Sequence, residues 1–600
     1  MADNYVSVRN IEFMLHEVFE AESLNRFERF QDYDKEGINM ALTAAKSISD
    51  NYLFPIYREM DKKKAYAENG IVHVHPGLKK AIKAMAEGGW IGAGQSYDDG
   101  GQQMPALLES GASMIFNSAN GNAVGYAFLT NGAANLIQSF GSQALKDTYI
   151  KHMYAGDWQG TMALTEPQAG SSLTDVTTSA TPTDQEGVYK IKGQKIYISG
   201  GDHTGVDNVV HLTLARIDGA PAGTKGISLF VVPKHRPDGD GLTNNDVITA
   251  GIYGKMGQKG YVAAHLMMGE NDGTEGYLVG EPHRGLKYMF QMMNEARIGT
   301  GLMATGNASA AYYASLQYAQ ERPQGRHPDN KDPLADPVLI INHADVRRML
   351  LFQKAVTEGG LSVLLECSKL HDIHIAGEGE EAANAHLLLE LLTPIAKSYP
   401  AEMATQAVSA GMQVLGGAGY TDDFPLEQIY RDVRINSIYE GTTTIHGMDL
   451  LGRKVVMNKG AAMKLLMENV QGVIQEAMAH DSLKTYAEQL GMTGMKLHEI
   501  TMSLVKIAAE KGPRHYLSDA TMYLDYFGTV VIAWQWLKQG VKAAEALAAG
   551  QTGDEEVFYR SKIHTLKYFF EYELIKTRTW HKRLQARDFM TVDMENELLV

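Results

Sequence analysis

The chain has 600 residues, of which 44% are hydrophobic and 21% charged; this is globular composition with length for several domains and sizeable cores, and it excludes disordered and fibrous classes. Its net charge of −16 argues against nucleic acid as a partner, because holding a phosphate backbone takes a basic face. An anionic ligand must instead rely on local arginines and backbone amides. The opening MADNYVSVRNIEFMLHEVF has no basic segment leading into an apolar run and a small-residue cleavage site, and no apolar run reaches the ~20 residues of a membrane helix. The expectation is a soluble, cytoplasmic protein with no transmembrane segment. One cysteine, Cys367, cannot form an internal disulfide and reads as a small buried hydrophobe rather than a nucleophile.

Residues 1–160 read as a helical domain, in stretches such as MALTAAKSIS and GLKKAIKAMAEGG with apolar residues three and four apart. Over 161–285 the texture changes to short β-branched and aromatic segments, GVYKIKGQKIYISG, NVVHLTLARI and GISLFVVPK, separated by Gly, Asp and Pro, which predicts a β domain. Helical patterns return over 286–460, where the small-residue face of GLKYMFQMMNEARIGTGLMATGNASAAYYASLQYAQER suits close packing in a bundle. Residues 461–600 form an additional helical region whose aromatic stripe, within LSDATMYLDYFGTVVIAWQWLKQGVKAAEALAAG, reads as core. NKGAAM near 458 and GEGEEAAN near 377 read as loops or linkers. The predicted fold class is multi-domain α+β.

Three stretches could carry chemistry. In MALTEPQAGSSLTDV, residues 162–176, the hydroxyls of Thr165, Ser171 and Ser172 and the Gly170 backbone offer partners at a turn for a phosphate or a ring edge; a plain Pro–Gly turn reads equally well. In KIYISGGDH, residues 195–203, Tyr197 and Ser199 alternate on one strand face, a ring beside a hydroxyl that suits a flat heterocycle. In GMQVLGGAGYTDDFPLEQIYRDVRINSIYEGTTTIHG, residues 411–447, Gly416, Gly417 and Gly419 permit close backbone approach, yet no G-x-G-x-x-G in a strand-turn-helix setting marks a Rossmann site. Glu440, followed by Gly441 and three threonines, reads as a reactive carboxylate on a tight turn, against the plain alternative of an exposed loop glutamate.

In their order and spacing these motifs resemble the acyl-CoA dehydrogenase family. The resemblance covers residues 40 to 450, through FGSQALKDTYIKHMYAGDWQGTMALTEPQAGSS, GQKIYISGG, GYLVGEPHRGLKYMFQMMNEARIG, QVLGGAGYTDDFPLEQIYRD and IYEGTTTIHG. The extension beyond 461 is similar to that of the longer very-long-chain and bacterial members, methylthiopropionyl-CoA dehydrogenases among them. The resemblance implies a β-barrel-like middle domain, a four-helix bundle and FAD as cofactor, with an acyl-CoA oxidised to a trans-2-enoyl-CoA. It assigns Glu440 as the base that takes the α-proton. Members that carry the base on a helix instead place it before an arginine corresponding to Arg297, where this chain has Ala296. The adjacent Glu295 lies about 100° away around that helix and reads as a packing or surface carboxylate.

By the same resemblance Met162, Leu164 and Thr165 line the flavin, Ser171 lies near its phosphate or the coenzyme A chain, and Tyr197 and Ser199 stand where tryptophan and threonine are usual. Arg322, Gln413 and Gly417 match residues that hold the FAD of a neighbouring subunit, and Thr442 and Thr444 follow the base where the family again touches FAD. A shared cofactor implies a homo-oligomer, a dimer being favoured. Asn294 and Arg297 resemble a pair near coenzyme A, with a structural salt bridge as the alternative, and Tyr439 and Gly441 are expected to wall the thioester. The chain departs from the family at GSS, with Asp175 three residues on, at RPQGR and at GQKGYVAAHLMM. His73, His75, His371 and His374 show no third ligand at metal spacing, so no metal is expected. His446, on the segment after the base, is expected to tune the site or simply to pack.

The favoured reading is dehydrogenation of medium to long straight-chain acyl-CoA in fatty acid β-oxidation, with electrons passed to electron-transferring flavoprotein. An acyl-CoA oxidase, a methylthiopropionyl-CoA dehydrogenase and a non-catalytic helical scaffold remain as alternatives.

Overall fold

The structure, a computed structural model, describes residues 4–239, 241–271 and 273–600. It clusters into two compact units, the first made of residues 41–104 and 115–299, the second of residues up to 40, 105–114 and 300–600.

The first unit sets helices against a sheet. Helix α1 (Gly77–Glu87) buries Leu78, Ala81, Ile82 and Met85, the spacing of one apolar face. Helix α2 (Ala106–Phe140) breaks at Asn120, with φ −166 and ψ 81. The Asn120 amide nitrogen donates to Leu53 O at 3.0 Å and its side-chain oxygen accepts from the Ala123 amide at 3.2 Å, so one side chain caps the helix where it resumes. Helix α3 (Gln143–Tyr154) opens on Ser142, whose hydroxyl accepts from the Leu145 amide at 3.4 Å. Within the predicted helical range 1–160 the first strand of the sheet begins at Trp158, and the described residues also form a hairpin pairing Tyr66–Glu68 with Ile71–His73. Its Asn69 and Gly70 both have positive φ, the two-residue turn that Asn-Gly favours.

Strands β1 (Trp158–Ala163), β2 (Ser179–Pro182), β3 (Val188–Ser199), β4 (Asn208–Ile217), β5 (Ile227–Pro233), β6 (Val247–Ile252), β7 (Ala263–Met268) and β8 (Thr274–Leu278) lie in the order β6-β7-β3-β8-β5-β4-β1. Because β2 bonds both β3 and β4, the path β3-β8-β5-β4-β2 closes on itself, which accounts for the barrel-like middle domain. β5 is buried along its whole length and β4 over its first eight residues, as expected of strands covered on both faces. Leu212, Leu214 and Val231 share a core with Ile137, Tyr149, Met153 and Met289. At Gly160 a Cβ would lie 2.6 Å from Ala133 Cβ; glycine is what lets β1 lie this close to α2.

Helix α4 (Gly285–Glu321) contributes its residues from 300 onward to the second unit. There α5 (Ala344–Ala376) and α6 (Gly379–Leu415) form a long helical hairpin, followed by the short α7 (Leu426–Val433) and α8 (Thr443–Asp449). The extension adds α9 (Ala461–Ala477), α10 (Lys484–Lys511), α11 (Ala520–Ala548) and α12 (Gly553–Tyr568). Its aromatic stripe is core: Tyr523, Phe527, Trp534 and Trp536 are at most 2% exposed, and the Trp536 indole donates to Ala355 O at 3.1 Å. Positive φ at Asn458, Lys459 and Gly460 makes the turn into α9.

The first helix of the chain, Val8–Glu12, is tied to the same extension. Arg9 pairs with Glu17 at 3.0 Å and with Glu555 at 2.7 Å. The fully buried Lys562 ammonium reaches Asn10 and, at 2.8 Å, Glu358. Cys367 is buried on α5, where burial pushes its thiol up. Among the described residues no helix is long and apolar enough to cross a membrane.

Candidate active site

In the first unit the turn after β1 is fastened from inside. Glu166, 2% exposed, accepts from Lys195 Nζ at 2.7 Å, from the Thr177 and Thr178 amides at 2.8 and 3.1 Å, and from both threonine hydroxyls. Burial works against its charge, yet Lys195 and these donors hold the carboxyl down at about 2. Lys195 also donates to Leu164 O at 3.1 Å and Leu214 O at 2.8 Å. The turn is thereby held against β3, where the Ile196 amide bonds Thr165 O at 2.9 Å.

Tyr197, the next residue, has φ +59 and faces a register shift in β7 between Ala264 and Leu266. Such a bulge re-aims a side chain. Ile196 and Ile198 stay buried, while Tyr197 is 59% exposed with its ring 4.4 Å from that of Tyr253, and Ser199 is half-buried on the same side. Met162, Leu164 and Thr165 are each half-buried; Thr165 O is bonded one residue before Tyr197, and Met162 and Leu164 pack against the core that holds Tyr149 and Met153. Ser171 is exposed at the far end of the turn, next to Ser172, whose hydroxyl donates to Asp175 at 2.7 Å. On α4, Arg297 is 8% exposed and Asn294 half-buried. Glu295 packs inward, accepting from the Asn135 amide at 3.3 Å, and burial pushes its carboxyl up to about 7. Half-buried, it is tied by that bond to α2.

In the second unit Glu440 stands at the turn between α7 and α8, half-buried, with φ +54, and Gly441 follows at φ +87. Two successive left-handed residues turn the chain tightly at this carboxylate, and the first carries a side chain that resists the conformation. Three side chains hold the turn. His446 Nε2 lies 3.0 Å from Glu440 O, Lys397 Nζ on α6 donates to Gly441 O at 2.8 Å, and the Thr443 hydroxyl bonds Glu402 on α6. A Cβ at Gly441 would come 2.8 Å from His446 Nε2, so glycine is required here for space as well as for φ.

Tyr439 donates to Asn436 at 2.9 Å. Thr442 precedes α8, whose first helical bond runs from the His446 amide to Thr442 O, and the Thr444 hydroxyl meets Thr521 at 3.5 Å. Gln413, Gly416 and Gly417 are exposed at the end of α6, where Gly416 has φ +60 and Gly417 has open space beside its Cα. Arg322 is exposed just after α4. Among the described residues no cluster of three metal-ligating side chains occurs; His73 stacks on Tyr66 and His374 on His386.

In the first unit the exposed Tyr197, with the half-buried Tyr253 ring tilted beside it, suits a flat, polar-edged ring system; in the second unit the open glycine-rich end of α6 suits close approach of a phosphate. The residues therefore fit a flavin dinucleotide.

The chain matches the models of the acyl-CoA dehydrogenase N-terminal domain over residues 36–157, the middle domain over 161–269 and the C-terminal domain over 283–455, and a model described as acetyl-CoA dehydrogenase C-terminal like over 466–595. It is 34% identical over 577 residues to a 3-methylmercaptopropionyl-CoA dehydrogenase of Ruegeria pomeroyi, covering 96% of this chain and 97% of that one. It is 31% identical over 578 residues to a broad-specificity linear acyl-CoA dehydrogenase of Mycobacterium tuberculosis, covering 94% of each. Among solved structures, Caenorhabditis elegans ACDH-11 in complex with C11-CoA superposes with a TM-score of 0.74 at 21% identity, over 97% of this chain and 96% of that one. An acyl-CoA dehydrogenase of Bacillus anthracis complexed with FAD gives a TM-score of 0.72 at 21% identity, over 95% and 90%; at these identities the likeness is one of fold. The chain belongs to the acyl-CoA dehydrogenase family. It is an oxidoreductase of that class, whose members are FAD flavoproteins.

Sequence reasoning missed Lys195, Lys397 and Glu402. The signal for Lys397 is its place in LLTPIAKSYP, a lone cation in an otherwise apolar helical run.

Proposed function

We infer that the protein removes two hydrogens from the α and β carbons of a straight-chain acyl-CoA, giving trans-2-enoyl-CoA, with Glu440 as the base. The observation that carries this reading is the pinned left-handed turn at Glu440 and Gly441. It presents one carboxylate on a braced backbone, as a general base requires. Glu440 takes the α-proton, and its own backbone amide is the donor suited to the thioester oxygen as that oxygen gains enolate charge. Bound FAD supplies the acceptor for the β-hydrogen, which leaves as hydride. Met162, Leu164, Thr165, Ser171, Tyr197 and Ser199 are its ring and phosphate contacts in this reading. Arg322, Gln413, Gly417, Thr442 and Thr444 bind the dinucleotide part, some across a homodimer interface; the exposure of Arg322 and Gln413 supports that role. Asn294, Arg297, Tyr439 and Gly441 serve the acyl-CoA. A cytoplasmic setting, medium to long chain length and electron-transferring flavoprotein as acceptor complete the proposal.

A second reading, a short thioether acyl-CoA as substrate, is favoured by the 34% identity to the Ruegeria enzyme. Anaerobic bleaching of the flavin across a series from butyryl-CoA to palmitoyl-CoA, with 3-methylthiopropionyl-CoA alongside, separates the two. Glu440→Gln must bind substrate and scarcely bleach; bleaching at the wild-type rate refutes Glu440 as the base. Stoichiometric peroxide in air would reassign the protein as an oxidase.

A further inference from the structure

Glu440 and Gly441 are an unfavourable pair of neighbours. A side chain disfavours the left-handed region against its extended or right-handed alternatives, and glycine loses the most freedom when it is fixed. Such a dipeptide persists only where its surroundings over-determine it. The surroundings here are two buried donors aimed at two successive carbonyls. His446, fully buried on α8, places Nε2 3.0 Å from Glu440 O. Lys397, fully buried on α6, donates from Nζ to Gly441 O at 2.8 Å.

Fixing two adjacent carbonyls fixes two adjacent peptide planes. Those planes flank the Gly441 α-carbon, and the first of them also contains the Glu440 α-carbon, so the point from which the base's side chain springs is set. A third tether, from Thr443 to Glu402, anchors the residue that opens α8. The donors come from different elements, so the turn cannot rotate as a unit with either one. An ammonium buried in the middle of a long helix is costly unless it meets strong acceptors, and a carbonyl that can turn away is a poor one. Lys397 and the turn therefore hold each other.

We propose that His446 and Lys397 are positioning residues for the reaction: they clamp the backbone carbonyls of Glu440 and Gly441 and so set the position of the α-carbon that carries the base. The proposal rests on Glu440 being the base. Neither residue touches the reacting atoms in it; each acts through the turn.

The test uses full-length holoenzyme with His446→Ala, His446→Gln, Lys397→Met and Glu440→Gln, reading the limiting rate of anaerobic flavin reduction and the substrate concentration giving half that rate. Misplacing a catalytic group by about 1 Å costs on the order of a hundredfold. His446→Ala and Lys397→Met are thus expected to lose at least tenfold in limiting rate, with half-saturation within about threefold, because the lost interaction serves the chemical step rather than binding. His446→Gln, whose amide can donate to the same carbonyl, is expected to recover most of the rate.

A readout independent of turnover is amide hydrogen exchange in the peptide covering residues 438–445. It should quicken at least tenfold in His446→Ala and stay near wild type in His446→Gln. Wild-type rates in both His446→Ala and Lys397→Met overturn the clamp, as does a loss in His446→Ala that His446→Gln fails to rescue with exchange unchanged. If Lys397→Met does not fold, the two His446 variants decide alone. Full activity in Glu440→Gln sinks the base assignment, whereas inactivity there with wild-type rates in the clamp variants sinks only the clamp.

Discussion

Replacing Glu166 by glutamine removes one charge from the inside of the β domain and leaves the other behind. Lys195 and Glu166 have side chains 0% and 1% exposed and a separation of 2.7 Å, so solvent screens neither. Two routes give the cost. A carboxyl held at about 2 against an ordinary 4.5 corresponds to about 3 kcal/mol, at roughly 1.4 kcal/mol per unit. Breaking a buried pair by deleting one partner costs about 3–5 kcal/mol. The folded carboxyl lies below its unfolded value, so its contribution is complete above pH 4.5 and is lost as pH falls from there toward 2.

Urea unfolding at pH 7.5, followed by flavin release, should therefore show Glu166→Gln destabilised by about 3 kcal/mol or more. The gap to wild type should narrow as pH falls below 4.5. Adding Lys195→Met should regain more than half of the loss, because no uncompensated charge then remains. A midpoint unchanged by Glu166→Gln, or a double variant weaker than the single one, refutes the view that this pair fastens the turn.

Gly441→Ala should cut the limiting rate of flavin reduction at least tenfold, since φ +87 and a 2.8 Å approach to His446 Nε2 both oppose the added methyl; a rate within twofold of wild type would show that the turn yields freely. Glu295→Gln should raise stability more at pH 8 than at pH 5. Burial holds the folded carboxyl near 7, above the ordinary 4.5, so the penalty on wild type opens above pH 4.5 and is complete only above 7; the same gain at both pH values, or none at either, would count against it. Lys562→Met should lower the thermal midpoint, because it leaves the buried Glu358 with Lys354 alone, and loosening should show first as faster exchange in residues 5–20; protection retained there would contradict the tie between the two ends.

The sequence revealed the parts of the site that depend on local chain geometry. A glycine after a glutamate announces a tight turn, and both residues do have positive φ. The exposure of Tyr197 and the partial exposure of Ser199, with Ile198 buried between them, follow the period-two pattern of a strand. The bulge at Tyr197 was not legible, since it depends on how β7 registers against β3. Lys195 and Glu166 are 29 residues apart and meet only because β3 returns beside the turn after β1. Lys397 is buried because α6 is covered around it, and its partner, Gly441 O, lies 44 residues away. The hairpin at 66–73 did carry its signal, Asn69–Gly70, but it was outweighed by helical periodicity on both sides. Spacing within a segment can be read from the chain; partners supplied by distant segments cannot.

The bond between the first helix and α12 spans 546 residues from Arg9 to Glu555, and this has a bearing on biogenesis. At a synthesis rate of about 5–20 residues per second, roughly half a minute to two minutes separates the two halves of that contact. Throughout this interval Phe13, buried in the finished protein, has no Phe558 and Tyr559 to pack against. The first helix is thus sheltered only late in synthesis, and removing α12 should reveal itself as chaperone binding or proteolysis around residues 8–18.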